Sequence, residues 1–188
     1  ESAVPLLSVV VVTLNSRAMT LRSLKTVAEA TAGLPTEVWL VDNGSLDGTP
    51  EAVAADFPAV KVIRNDRNLG FAVANNQALR QARGRYWLLL NTDTLLTAEA
   101  VRAMVEYLEE HPQGAVVGPH LVDERGRPQN SVHSFPSLAT ELLNRSLLRI
   151  LFPRRYPSKR TRFAGPTEVD ALLRAALMVR AEAAREVG

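Results

Sequence analysis

No cysteine occurs among the 188 residues, which removes disulfides, a cysteine-built zinc site and a thiol nucleophile from consideration together. Lysine is scarce too: Lys25, Lys61 and Lys159 are the only ones, and arginine supplies the rest of the 22 basic residues. With two Trp, three Tyr and five Phe, the chain has few stacking side chains, and a nucleic-acid partner is not expected. No apolar stretch approaches the ~18 residues that a membrane span needs. The opening Glu1-Ser2-Ala3-Val4-Pro5 lacks the basic-then-apolar layout of a signal peptide, so the expected location is cytoplasmic. His111, His120 and His133 are too scattered to suggest a metal cluster. Thr13-Leu14-Asn15-Ser16 follows the first apolar run without a Gly-x-Gly-x-x-Gly; a pyrophosphate could not approach the backbone there, which argues against an NAD-dependent dehydrogenase. The glycine-rich basic loop of a nucleotidyltransferase is missing near the amino terminus as well.

What is present favours a folded core. Hydrophobic residues make up 46% of the chain and 22 basic residues balance 20 acidic ones, which suits a single domain over residues 1–188. The chain begins without Met and stops at Val187-Gly188 directly after a helix-like stretch, so a fragment of a longer protein is expected. Apolar runs at 7 to 12, 37 to 41, 60 to 63, 86 to 90 and 114 to 118 read as strands. Between them, 17 to 31 carries apolar residues at helical spacing, Asp47-Gly48-Thr49-Pro50-Glu51 opens a second helix, Asn68-Leu69-Gly70-Phe71 leads into a third that Gly84 stops, and 97 to 111 forms a fourth. Asp123-Glu124-Arg125-Gly126 reads as a hairpin turn. This alternation makes right-handed βαβ units, so the expected fold is α/β with a mostly parallel central sheet and helices on both faces.

Two of the runs end at a carboxylate. Val38-Trp39-Leu40-Val41 runs into Asp42-Asn43-Gly44-Ser45, and Tyr86-Trp87-Leu88-Leu89-Leu90 runs into Asn91-Thr92-Asp93-Thr94. Buried parallel strands that stop at an acid place it at the carboxyl edge of the sheet, where open α/β folds bind ligands. An unpaired charge is costly at a buried strand tip, so each acid should meet a metal, a ligand donor or a capping role. Plainer roles compete: Asp47 as a helix cap, Asp42 as the start of an Asx turn, Asp93 as a cap for the helix near Thr97, and Asn75 and Asn76 as solvated helix residues.

Ser8-Val9-Val10-Val11-Val12-Thr13-Leu14-Asn15, the stretch from Val41 to Thr49, the stretch from Asn68 to Asn76, and Leu90-Asn91-Thr92-Asp93 together resemble the family 2 inverting glycosyltransferases of GT-A fold. Asn68-Leu69-Gly70-Phe71 and Ser134-Phe135-Pro136-Ser137 look most like its rhamnosyltransferase-type members. The resemblance implies a nucleotide-sugar-binding half over 1–119 and part of an acceptor-side half over 120–188. It implies a dTDP-, UDP- or GDP-linked sugar as donor and a glycan or lipid-linked acceptor. Asn91-Thr92-Asp93 takes the place of the family's Asp-x-Asp motif, which makes Asp93 the ligand of Mg²⁺ or Mn²⁺; Asn91 leaves that site less charged. By the same resemblance Asp42 accepts a hydrogen bond from the nucleobase, and Thr13, Leu14 and Asn15 line the base and ribose. Asn43, Asn68, Gly70, Asn75, Asn91 and Thr92 complete the expected donor site. An imide N–H of uracil or thymine suits an aspartate acceptor, and guanine also donates.

On the acceptor side the resemblance aligns Asp170 with a family aspartate, while Leu173-Arg174-Ala175 replaces the usual small residues. It also implies a strand over 169 to 179 and a helix from about Ala181, although Ala, Leu, Arg and Glu there favour helix by propensity. The family's general base, a carboxylate, would follow Gly188. The alternative is a catalytically incomplete nucleotide-sugar-binding module. Residues 138 to 162 are leucine-rich and then basic; they read either as an amphipathic helix packed on the sheet or as a peripheral contact with the inner face of an anionic membrane.

Overall fold

The computed structural model describes residues 4–129, 132–133, 165–169, 171–172 and 175–187. In chain order its strands are β1 (Leu7–Thr13), β2 (Thr36–Asp42), β3 (Lys61–Arg64), β4 (Tyr86–Asn91), β5 (Val116–Val117), β6 (Val132–His133), β7 (Ala171–Leu172) and β8 (Ala176–Arg180). The helices are α1 (Arg17–Ala30), α2 (Thr49–Asp56), α3 (Phe71–Leu79), α4 (Ala98–Glu110) and α5 (Ala181–Val187). The chain divides into two compact units, Glu1–Val117 with Arg174–Gly188, and Gly118–Leu173.

The first unit is a six-stranded sheet in the order β3-β2-β1-β4-β8-β5. β1 to β4 run parallel, and β8 lies antiparallel between β4 and β5. Because alternate strand residues face opposite sides, one face buries Val9, Val11, Leu40, Leu88 and Leu90 against α1, α2 and α4. The other buries Val10, Trp39 and Val41 against Ala74 and Ala78 of α3, and Trp87 against Ala181 of α5. Helices thus cover both faces of a mostly parallel sheet, the architecture that the alternating pattern implied. The single strand expected over 169 to 179 is instead two, Ala171–Leu172 paired with β6 and Ala176–Arg180 in the main sheet; the second of these and the helix from Ala181 agree with the family resemblance against local propensity. Ala176 is buried beside β4 and Met178 between β4 and β5, so tertiary packing overrides the helix-forming residues.

The third helix stops at Leu79 rather than at Gly84. Arg83 N donates to Glu37 Oε1 at 2.6 Å and Gly84 N donates to Ser8 Oγ at 2.8 Å, so these amides leave the helical ladder for side chains of β2 and β1. Glu37, 8% exposed, also accepts from Ser8 Oγ and Lys61 Nζ, both at 2.7 Å. Burial pushes its carboxyl up, but the bonds from Lys61, Arg83 and Ser8 outweigh that and hold it below its ordinary 4.5. A depressed folded pKa gives stability that is present above the unfolded value and is lost as pH falls through the folded one. Glu37→Gln should therefore narrow the gap to wild type in urea midpoint as pH falls below 4.5. A gap that is constant from neutral pH down into the acid range would remove Glu37 from the acid-sensitive set.

The second unit shows the expected turn. Val122 bridges Pro128, and Asp123 accepts from Arg125 N and Arg127 N at 2.9 Å each. β6 pairs antiparallel with β7. Segment 138 to 162 and Asp170 lie outside the described residues. Among the described residues no helix is long and apolar enough to cross a membrane.

Candidate functional site

β1 lies between β2 and β4, and the chain leaves it in opposite directions along the sheet. That makes the β1/β4 border the switch point, and open α/β folds bind ligands beyond the carboxyl ends of the strands at such a point. Register places Thr13 beside Asp42 and Val12 beside Asn91. Three strand tips therefore share one edge, with those of β2 and β4 two strand spacings, about 10 Å, apart.

At the β1 tip, Thr13 Oγ1 turns inward, 2.9 Å from Ser16 Oγ and 2.8 Å from Thr20 Oγ1. Leu14 is exposed. Asn15 holds φ +46°, a left-handed conformation that asparagine tolerates better than most residues. It ties two loops together: its N–H donates to Ser45 Oγ, and its Oδ1 accepts from Leu46 N, both at 2.8 Å. Asp47 takes the capping role, accepting from Arg17 N at the start of α1 and from Thr49 N at the start of α2. Those bonds, that from the Thr49 hydroxyl foremost, hold its carboxyl below the usual range.

At the β2 tip, Asp42 is only 2% exposed. Its Oδ2 accepts from Ser45 N at 3.0 Å, the turn contact considered from sequence. Its Oδ1 is buried and has no hydrogen-bond partner. Asn43 is buried as well, and its amide is engaged on both sides: Oδ1 accepts from Asn65 Nδ2 at 3.0 Å, and Nδ2 donates to Asn68 Oδ1 at 3.2 Å. Asn68 Oδ1 also accepts from Gly70 N at 2.8 Å. Gly70 begins α3 at φ +82°; no atom lies within 4 Å of a built Cβ, so conformation and not space calls for glycine. Asn75, expected in the donor site with a solvated helix position as the plainer reading, is 4% exposed, which excludes the plainer one. Its Nδ2 donates to Phe71 O at 2.8 Å, and its Oδ1 is buried without a partner.

At the β4 tip the strand ends at Asn91, so Asp93 stands two residues out in a turn and is exposed rather than buried. The turn is anchored to α1, where Ser23 Oγ donates to Thr94 O and Thr26 Oγ1 accepts from Leu96 N, both at 3.1 Å. Asp93 does not cap α4; Thr97 does, accepting from Ala100 N. The nearest donor to Asp93 is Thr94 Oγ1 at 3.4 Å, which leaves the carboxylate open to a ligand. Among the described residues no group of three or more His, Asp or Glu could cage a metal. A hard cation bound through one carboxylate and completed by phosphate oxygens fits this arrangement, and Mg²⁺ is commonly held that way. Asn65, just past β3, and Gln77, in α3, carried no signal in the sequence beyond their polar residue type, yet they bond to each other, and Asn65 bonds to Asn43.

Sheet order, the switch point and an acid at or just past two strand tips define a GT-A glycosyltransferase fold. The same fold occurs in the mannosyltransferase PcManGT from Pyrobaculum calidifontis in complex with GDP-Man and Mn²⁺, with TM-score 0.65, 24% identity, and coverage of 100% of this chain and 48% of that one. It occurs in S. aureus TarS 1-349 in complex with UDP-GlcNAc, with TM-score 0.55, 28% identity, and coverage of 66% and 37%. The chain belongs to glycosyl transferase family 2, whose model matches residues 8–188. It is 30% identical over 115 residues to the N-acetylglucosaminyl-diphospho-decaprenol L-rhamnosyltransferase of Mycobacterium tuberculosis, covering 55% of this chain and 38% of that protein. It is 38% identical over 104 residues to the succinoglycan biosynthesis protein ExoO of Rhizobium meliloti, covering 55% and 30%. The matched parts thus span well under half of these relatives.

Proposed function

We propose that this chain carries the donor-binding half of an inverting glycosyltransferase that takes a dTDP-, UDP- or GDP-linked sugar. The observation that carries the reading is the Oδ1 of Asp42, a buried acceptor with no partner at a sheet edge. Leaving such an atom unsatisfied is costly, and a nucleobase N–H would satisfy it. Thr13, Leu14 and Asn15 stand at the neighbouring strand tip, where the base and ribose would lie. Asn91, Thr92 and Asp93 stand at the β4 tip, where Asp93 would hold Mg²⁺ or Mn²⁺. Such an ion neutralises charge that develops on the departing diphosphate.

Inversion needs a general base to take the acceptor proton, and no described carboxylate is assigned that part. Asp170 is proposed only for the acceptor side. The relative from Mycobacterium tuberculosis is named for a lipid-linked acceptor, which supports a glycan or lipid-linked acceptor here. Residues 138 to 162 are the proposed peripheral membrane contact.

Melting in the presence of UDP, dTDP or GDP, with NAD as control, tests the donor site with and without Mn²⁺. A ligand at 100 times its Kd stabilises by about 2.7 kcal/mol, which for a chain of this size is a rise of about 5–10 °C. One nucleoside diphosphate should give such a shift, Mn²⁺ should enlarge it, and Asp93→Ala should lose the Mn²⁺ increment. Equal and negligible shifts for all four compounds would sink the donor reading.

A further inference from the structure

Four amide side chains form a closed circuit around the tip of β2. Gln77, in α3, exchanges two bonds with Asn65: Gln77 Nε2 donates to Asn65 Oδ1 and Asn65 Nδ2 donates to Gln77 Oε1, each at 2.9 Å. Asn65 Nδ2 also donates to Asn43 Oδ1 at 3.0 Å. Asn43 Nδ2 donates to Asn68 Oδ1 at 3.2 Å, and Asn68 Oδ1 accepts from Gly70 N at 2.8 Å. Gly70 begins α3, and the helix leads back to Gln77. The backbone reinforces the circuit, since Asn65 N donates to Asp42 O at 2.8 Å. The two loops also touch: a Cβ at Gly44 would lie 3.0 Å from Arg67 Cα.

Resting on the donor reading above, we infer that Asn65 and Gln77 are positioning residues for the nucleotide, holding Asp42 and Asn75 through this amide circuit without touching the ligand. Within the circuit both sides of the Asn43 amide are engaged, and the Asn68 oxygen accepts twice. On the two elements that the circuit joins, β2 and α3, Asp42 Oδ1 and Asn75 Oδ1 are buried acceptors without a partner. Asp42 is fixed through its own carbonyl and the adjacent Asn43; Asn75 is fixed because Gln77, two residues along α3, pins the helix to Asn65. None of the four amides titrates, so in the native protein this support does not change with pH.

Gln77→Glu puts a titratable group at the same place with almost no change of shape. When ionised it cannot donate to Asn65 Oδ1; when protonated it can. The full chain, wild type and variant, is titrated with UDP and in parallel with GDP, and Kd is read as the ratio of variant to wild type. That ratio cancels pH effects common to the two proteins, titration of the phosphates among them. The ratio should be about tenfold near pH 8 and fall to within about twofold near pH 4.5 as the new carboxyl protonates. Gln77→Leu, which loses both bonds at every pH, should show about a tenfold ratio throughout, and it decides the matter if Gln77→Glu does not fold. Folded variants with a ratio near one at every pH, even with a lowered melting temperature, would overturn the inference and leave the donor reading intact. A folded wild type that binds neither UDP nor GDP would overturn the donor reading and this inference with it.

Discussion

Gly84→Ala is expected to destabilise the protein by roughly 3 kcal/mol or more, because the added carbon meets backbone rather than a movable side chain. A Cβ at Gly84 would lie 2.5 Å from Ser8 N, 2.5 Å from Ser8 Oγ and 2.8 Å from Leu7 C. Leu7 and Ser8 are fully buried at the start of β1, a strand paired on both sides. Relief therefore requires a shift of either β1 or the segment before β4. Either shift also disturbs the bond from Gly84 N to Ser8 Oγ and the Glu37 carboxylate that Ser8 serves. For a chain of this size the expected fall in melting temperature is about 6–12 °C. Ser8→Ala alone removes a hydroxyl with two bonds and should cost less, about 1–2 kcal/mol. The double variant should not recover the loss, because the Ser8 backbone nitrogen stays where it was. A Gly84→Ala protein that melts with the wild type would show that β1 yields at its first residues.

The same glycine marks the boundary of what the sequence could tell. Long apolar runs at β1, β2 and β4 and helical spacing in α1 and α4 were legible because burial on both faces leaves a strong local pattern. Gly84 reads locally as a helix stop. Its actual role depends on Glu37, 47 residues earlier, capturing the amide of Arg83, and no local pattern records that. Asp42 was legible as an acid at the end of a buried run. Asp93 was legible by motif, but its exposure was not, since the strand ends at Asn91 and the acid falls in the turn. The burial of Asn75 was hard to read because α3 buries alanines: Ala74 and Ala78 pack against the sheet, and Asn75, next to Ala74, is buried with them. An apolar stripe of such small residues is easy to overlook. Asn65 and Gln77 were illegible for a further reason: an amide pair has no periodicity and no charge, and its meaning lies in which partner the fold brings to it.

Asp42→Asn is expected to separate stability from binding. The wild-type carboxylate has one oxygen bonded to Ser45 N and the other buried without a partner. Burial of an uncompensated charge is unfavourable, so the amide, which keeps the Ser45 bond through its own oxygen, should melt at or above the wild-type temperature without ligand. Its NH₂ then occupies the place of the free oxygen and presents donors where an acceptor stood. An imide N–H of uracil or thymine, or the N1–H of guanine, would face a donor and lose a charge-assisted bond. UDP, dTDP or GDP binding should weaken by roughly 100-fold. Cytosine offers an acceptor at the same ring position, so CDP should lose least and could become the preferred nucleotide of the variant. Asp42→Ala, by contrast, should weaken every nucleotide without reversing their order. Calorimetric titration of UDP, GDP and CDP into the three proteins measures this directly. An unchanged order in Asp42→Asn, with affinity retained, would mean that Oδ1 faces something other than a base and that the nucleotide is held by the loops around it.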